Sequence, residues 1–416
     1  PAPRPDADPA RRHPRRSDAV TGRPTGPFEA IDVERLRSGH GVKWGSLPQG
    51  TIGAWVADMD FGVPPAVSES ILHVTGRADF GYPYWTGEDP VVEAFEERMA
   101  TRYGWRPSPG RTRVFTDLLQ VLQVIIEYAT APGDGVAIHV PAYPPFLASI
   151  ARAGRRIVPL PMSRDESGWH PPTEDLAGHL REQGCRLLVL VNPHNPTGRV
   201  LTPGELSAYA AAAEELDLVV LADEIHADLV FAPHRHVPFA SLGTAAARTV
   251  TTTSATKAFN IAGLRCAVAH VGPDRLHDAL ARAPLDFFGT PSILSRVATL
   301  AAWQRSEDWL AGLMRTLERN RRLIGEWAAS LPWDPGYHSP QGTYLSWLDF
   351  TASPVGGDEP AARLERLARV KLSEGAEFSQ HTTVDTAAFA RLNFATSTPN
   401  LAEILDRLAT ARSPRP

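Results

Sequence analysis

The chain has 416 residues, more than one ordinary hydrophobic core organises, so two lobes are expected. Its net charge of -5 comes from interspersed acids and bases, with no basic stripe among aromatics, which argues against nucleic acid or an anionic membrane as partner. Cys185 and Cys266 stand in no CxxC or Cys/His cluster, and there is neither an 18-residue apolar run nor a signal-like apolar core, so a soluble, cytoplasmic protein without disulfides or metal is expected.

Residues 1–27 hold Pro, Arg, Asp and Gly with almost no large apolar side chain, which predicts a disordered tail. Phe28 to Arg37 reads as a short amphipathic helix, and the irregular stretch that follows, with Trp55, Asp58, Asp60 and Phe61, reads as a buried crossing between lobes. Helices are predicted at Pro65 to Val74 and Asp89 to Arg102, separated by the aromatic loop FGYPYWTG. From Val114 the pattern changes. Short apolar runs at Val136 to Val140, Arg156 to Leu160, Leu187 to Val191, Leu218 to Ala222, Thr249 to Thr253 and Cys266 to Val271 alternate with helical stretches at Leu118 to Ala129, Pro144 to Arg152, Thr173 to Glu182 and Pro203 to Glu215. Strands that are apolar on both faces and alternate with helices predict an α/β fold with a mainly parallel, doubly covered sheet. Beyond about Pro291, long helices (Ser292 to Arg305, Trp309 to Ser330), a strand at Thr343 to Phe350, a helix at Pro360 to Ser373, a strand ending at Arg391 to Phe394 and a last helix predict a smaller α+β lobe.

In such sheets ligands sit at the carboxyl ends of strands. One strand ends in Asn192-Pro193-His194-Asn195-Pro196-Thr197-Gly198, where X-Pro steps should hold the backbone extended and Gly198 should permit a turn. A second ends in Asp223-Glu224-Ile225-His226, and an acid leaving a buried strand needs a cationic or protonated partner. A third leads into Ser254-Ala255-Thr256-Lys257, with Arg265 eight residues on. Lys257 stands out because the chain has lysine only at Lys43, Lys257 and Lys371, every other cation being arginine. Arginine stays protonated, whereas a desolvated lysine can act as nucleophile or base. An aromatic aldehyde with a ring nitrogen for Asp223, a ring oxygen for Asn195, a carbonyl for Lys257 and a phosphate for Arg265 and a helix N-terminus would satisfy all of these, and that ligand is pyridoxal 5'-phosphate.

HNPTG, DEIHAD and SATKAFNIAGLR, in that order, resemble fold-type I pyridoxal phosphate enzymes of the aminotransferase class I/II superfamily, from about Val42 to the C-terminus. KWGSLPQGTIGAWVADMDFGVPP, FGYPYWTG and QGTYLSWLDF resemble its MalY/PatB-type C-S lyase (cystathionine β-lyase) branch. The resemblance implies the PLP-dependent transferase fold, with an N-terminal segment 28–62 packing on the small domain, a large cofactor-binding domain 63–290 and a small C-terminal domain 291–416. It implies Lys257 as the Schiff-base lysine, Asp223 on the pyridine nitrogen, Asn195 on the ring oxygen with His226 beside it, and Tyr143 stacked on the ring. Ser254, Arg265 and the amides near Leu118 and Leu119 would hold the phosphate, Tyr82 would reach the phosphate of the neighbouring subunit in a homodimer with shared active sites, and Arg391 would clamp the substrate carboxylate. The implied reaction is β-elimination from an S-substituted L-cysteine to thiol, pyruvate and ammonia. Transamination, a specialised enzyme acting on a bulky cysteine conjugate by elimination or decarboxylation, and a non-catalytic cofactor-binding regulator are the alternatives. The chain departs from its relatives at Asp117 and Leu118, where they carry small residues, and at residues 375–381, which lack the usual Pro-Gly and Phe-Gly pairs.

Overall fold

The computed structural model describes residues 26–284 and 287–412, so the expected tail lies almost wholly outside the described residues. Seven strands form the central sheet, in spatial order Thr112–Phe115, Ala267–Val271, Thr249–Thr253, Val219–Asp223, Cys185–Val191, Gly135–Val140 and Arg156–Pro161. Ala267–Val271 runs antiparallel to both its neighbours, and the other pairings are parallel. The apolar runs are continuous because the sheet is covered twice. Leu187, Val189 and Val191 pack on the side of helices Leu118–Ala129 and Pro144–Arg152, while Leu188 and Leu190 pack on the side of Leu176–Glu182 and Pro203–Glu215.

A second sheet of three strands, Leu345–Asp349, Phe389–Asn393 and Ser373–Glu374, lies with helices Glu307–Ser330, Pro360–Ala368 and Thr398–Thr410 in the C-terminal part. The N-terminal stretch joins it: Ile52–Gly53 pairs in parallel with Val370–Lys371, and the Asn393 side chain donates to the carbonyls of Val56 and Asp58. One apolar cluster runs through Phe28, Trp44, Phe61, Phe259, Leu317, Phe350 and Leu392, so this segment is bonded into the core.

Three local expectations shift. The first helix is only Val33–Ser38, because Asp32 caps it by accepting from the Arg35 amide, while Phe28 turns inward edge-on to Phe61 and Trp309 at 5.1 and 5.2 Å. The helix expected to reach Ser373 stops at Ala368, where Arg369 takes a left-handed φ of 53° and frees the next residues to pair with Ile52–Gly53. The Asn192-Pro193 and Asn195-Pro196 bonds are both cis. The turn at Gly198 is as expected: its φ is 71°, and a Cβ there would lie 2.3 Å from that of Pro340.

Candidate active site

Pairing register brings the three strand ends together. Val191 lies opposite Asp223, and Asp223 opposite Thr252. The Asn192 amide donates to the Asp223 carbonyl and the Glu224 amide to that of Thr252, so the chains leave the sheet side by side. They open on a cleft lined among others by Leu118, Leu119, Tyr143, Asn195, Asp223, His226, Ser254, Lys257 and Arg265.

Lys257 is enclosed. Its Nζ donates to the Ala57 carbonyl at 2.9 Å, and burial lowers its pKa, with Asp58 opposing and Arg391 reinforcing the shift. Asp223 is buried and pushed up to about 7, first by desolvation, while the Ile225 amide at 3.1 Å and the charge of Lys257 pull it back. A carboxylate so placed gains from a cationic or protonated nitrogen. His226 stays neutral, its pKa lowered to about 3 by burial and then by Lys257 and Arg391, and its Nδ1 has no partner.

Arg391 is not on the cleft wall itself but reaches it through Asn195. Its Nη1 donates to Asn195 Oδ1 at 3.1 Å, and its Nη2 to the Trp55 carbonyl at 2.9 Å and to Ser373 Oγ at 3.2 Å. Its guanidinium also sits 4.9 Å from the Phe378 ring centroid. Residues 375–381, whose sequence lacks the usual glycine pairs, therefore still supply a wall beside this arginine. With Asn195 Oδ1 committed to Arg391, the Asn195 amide nitrogen is left as the donor toward a ligand.

Ser254 and Arg265 flank the start of helix Leu118–Ala129, whose opening amides have no partner one turn earlier in the helix. Ser254 Oγ donates to the Cys266 carbonyl at 2.5 Å and accepts from the Thr256 amide at 3.1 Å. Asp117 caps this helix by accepting from the Gln120 amide at 3.0 Å, and its other oxygen takes Arg265 Nη2 at 2.5 Å. Tyr143 is half-buried and edge-on to Phe146, 5.6 Å between centroids. Tyr82 is the candidate that the fold does not bring in: it is 98% exposed, with Phe80 and Tyr84 also exposed nearby.

Sequence reasoning missed the acceptors. The carbonyls of Trp55 and Ala57 fix Arg391 and Lys257, and Tyr344 OH donates to that same Ala57 carbonyl at 2.8 Å. Every residue carries a carbonyl, so no residue type could have marked them; their only signal was the apolar and acidic character of the stretch around them.

The model of the aminotransferase class I and II family matches residues 56–408, and the chain belongs to that family. It is 32% identical to the cystathionine beta-lyase of Corynebacterium glutamicum, over 91% of this chain and 98% of that one. It is likewise 32% identical to cystathionine beta-lyase PatB of Bacillus subtilis (strain 168), over 86% and 92%. Among solved structures, the PLP-bound C-S lyase from Staphylococcus hominis superposes with a TM-score of 0.83 at 27% identity, covering 92% of this chain and 98% of that one.

Proposed function

We propose that the protein is a pyridoxal 5'-phosphate-dependent carbon-sulfur β-lyase that cleaves an S-substituted, cystathionine-like L-cysteine to a thiol, pyruvate and ammonia. The observation that carries this is the meeting of a desolvated lysine and a proton-seeking aspartate in one cleft, with an arginine fork behind it. The buried Asp223, raised to about 7, and the unpartnered His226 Nδ1 fit a ligand that brings its own N–H and polar ring atoms. The cofactor, when bound, supplies an aldehyde for Lys257 and a protonated ring nitrogen that draws electrons from the reacting carbon.

The side chains do the rest. Lys257, pressed toward its neutral form by burial, anchors the cofactor and then takes the proton from the substrate Cα. Asp223 holds a proton on the ring nitrogen, and the Asn195 amide donates to the ring oxygen with His226 beside it. Tyr143 covers one face of the ring. Ser254, Arg265 and the amides of Leu118 and Leu119 take the phosphate. Arg391 turns its planar fork to the substrate carboxylate, for which two parallel N–H donors are suited.

The lobes are read as 28–62 with 291–416, closing over 63–290. The exposed Phe80, Tyr82 and Tyr84 are read as a face for a second copy, with Tyr82 entering the neighbour's site in a homodimer. No helix among the described residues is long and apolar enough to cross a membrane, and both cysteines are free, which supports placing the protein in the cytoplasm.

The test is incubation with L-cystathionine and the cofactor without any keto acid. Pyruvate should form in proportion to thiol, and Arg391→Lys should raise KM about tenfold or more while changing kcat less. Turnover that depends on added 2-oxoglutarate and yields no pyruvate would sink the lyase reading in favour of transamination.

A further inference from the structure

We propose that Asp117 is a built-in anion that competes with the cofactor phosphate for Arg265, so that this chain holds its cofactor against an internal competitor and releases it readily. The inference rests on the cofactor reading above. The three groups that meet the Asp117 carboxylate are of the kinds a phosphate would use. The Gln120 amide at the start of the helix donates to Oδ1 at 3.0 Å, Arg265 Nη2 lies 2.5 Å from Oδ2, and Thr116 Oγ1, whose one hydrogen is shared with Gln120 Oε1 at 2.9 Å, lies 3.2 Å from Oδ2. All the residues but Gln120 line the cleft.

Arg265 is held for this role by its backbone. It sits at a left-handed φ of 54° directly after the short turn Ala262–Leu264, its side chain reaches the helix start, and Asp117 is its one charged partner among the described residues. The Asp117 side chain is 22% exposed and that of Arg265 58%, so the pair can open toward solvent without a buried charge being stranded. An arriving phosphate must displace the carboxylate from Arg265 or bind beside it, and either course subtracts from the affinity that the arginine and the helix start would otherwise provide.

The test uses the full chain stripped of cofactor, with Asp117→Asn and Asp117→Ser. Both replacements keep a side-chain oxygen to cap the helix and remove the charge. The probes are pyridoxal 5'-phosphate and pyridoxal, which lacks the phosphate, followed by tryptophan fluorescence and absorbance. Both variants should bind pyridoxal 5'-phosphate about tenfold more tightly than wild type, which is about 1.4 kcal/mol, and lose it more slowly on dialysis. Their affinity for pyridoxal should stay within about twofold, because the unphosphorylated ligand does not compete for Arg265. Unchanged or weaker binding of pyridoxal 5'-phosphate by both variants overturns the inference alone. Failure of wild type and variants alike to bind it overturns the cofactor reading and this inference together.

Discussion

Replacing Lys43 tests how the N-terminal segment holds the site together. Lys43 Nζ lies 2.8 Å from Asp60 Oδ1, and the two side chains are 4% and 0% exposed. The same Nζ donates to the Asp58 carbonyl at 3.0 Å, and Trp44 Nε1 donates to Asp60 Oδ1 at 2.6 Å. Asp60 Oδ2 has no partner, so Lys43 provides most of the compensation for a fully buried carboxylate. Lys43→Met keeps the stem's volume and removes the charge, leaving the Asp60 carboxyl without its cationic partner in an apolar setting. Breaking one side of a buried pair costs about 3–5 kcal/mol. Urea denaturation followed by tryptophan fluorescence, at fixed protein concentration and without cofactor, should show the midpoint falling with the slope unchanged. Asp60→Asn should cost a similar amount by stranding the Lys43 cation, and the double variant should lose at least about 2 kcal/mol less than the sum of the singles. The segment that Lys43 ties down also supplies the Trp55 and Ala57 carbonyls, so the variant should loosen Arg391 and Lys257 as well. A loss under about 1 kcal/mol, with no coupling between the two positions, would refute the argument.

Three further outcomes follow from the same structure. Burial raises the Asp223 pKa from the ordinary carboxylate range to about 7, so the folded, cofactor-free protein binds the extra proton between those values and this group's contribution is lost as pH rises through 7. Relative to Asp223→Asn, the empty wild type should therefore lose about 2–3 kcal/mol of stability from pH 5 to pH 8, as read from urea midpoints; a difference that does not change with pH would contradict the burial argument. Asn320 is fully buried, its amide donates to the carbonyls of Phe394 and Thr396 at 2.9 and 2.7 Å, and its Oδ1 accepts from Thr398 Oγ1; Asn320→Leu strands these groups and should cost about 2–4 kcal/mol in the same unfolding assay. Cys185 and Cys266 are both buried with pKa pushed up to about 11, so a thiol reagent at pH 8 should label neither in the native protein and both after denaturation.

Much of this was legible in the sequence. Runs such as Leu187 to Val191, apolar at every position, already require cover on both faces, and the sequence placed both ends of three helices, Leu118–Ala129, Pro144–Arg152 and Pro203–Glu215. Asn195, Asp223 and Lys257 could be picked out because each lies at the end of its strand or within four residues of it, and parallel pairing places such ends together. Lys257 was distinctive by composition alone, in a chain whose other cations are nearly all arginine.

The tertiary structure decided the relations between distant segments. Taken as a lone residue Arg391 reads as an ordinary cation, and only the family resemblance marked it; the fold brings it into a hydrogen bond with Asn195, 196 positions away in sequence. Arg265 could be placed near a phosphate by motif, but its pairing with Asp117 depended on how the helix start meets the turn after Ala262. The physical reason is that periodicity and capping are local and survive in one dimension, whereas the partner of a buried polar group is chosen by whichever backbone carbonyl or side chain the packed chain brings within 3 Å. That choice gave Lys257 the Ala57 carbonyl at 2.9 Å, from a residue that carries no mark in the sequence.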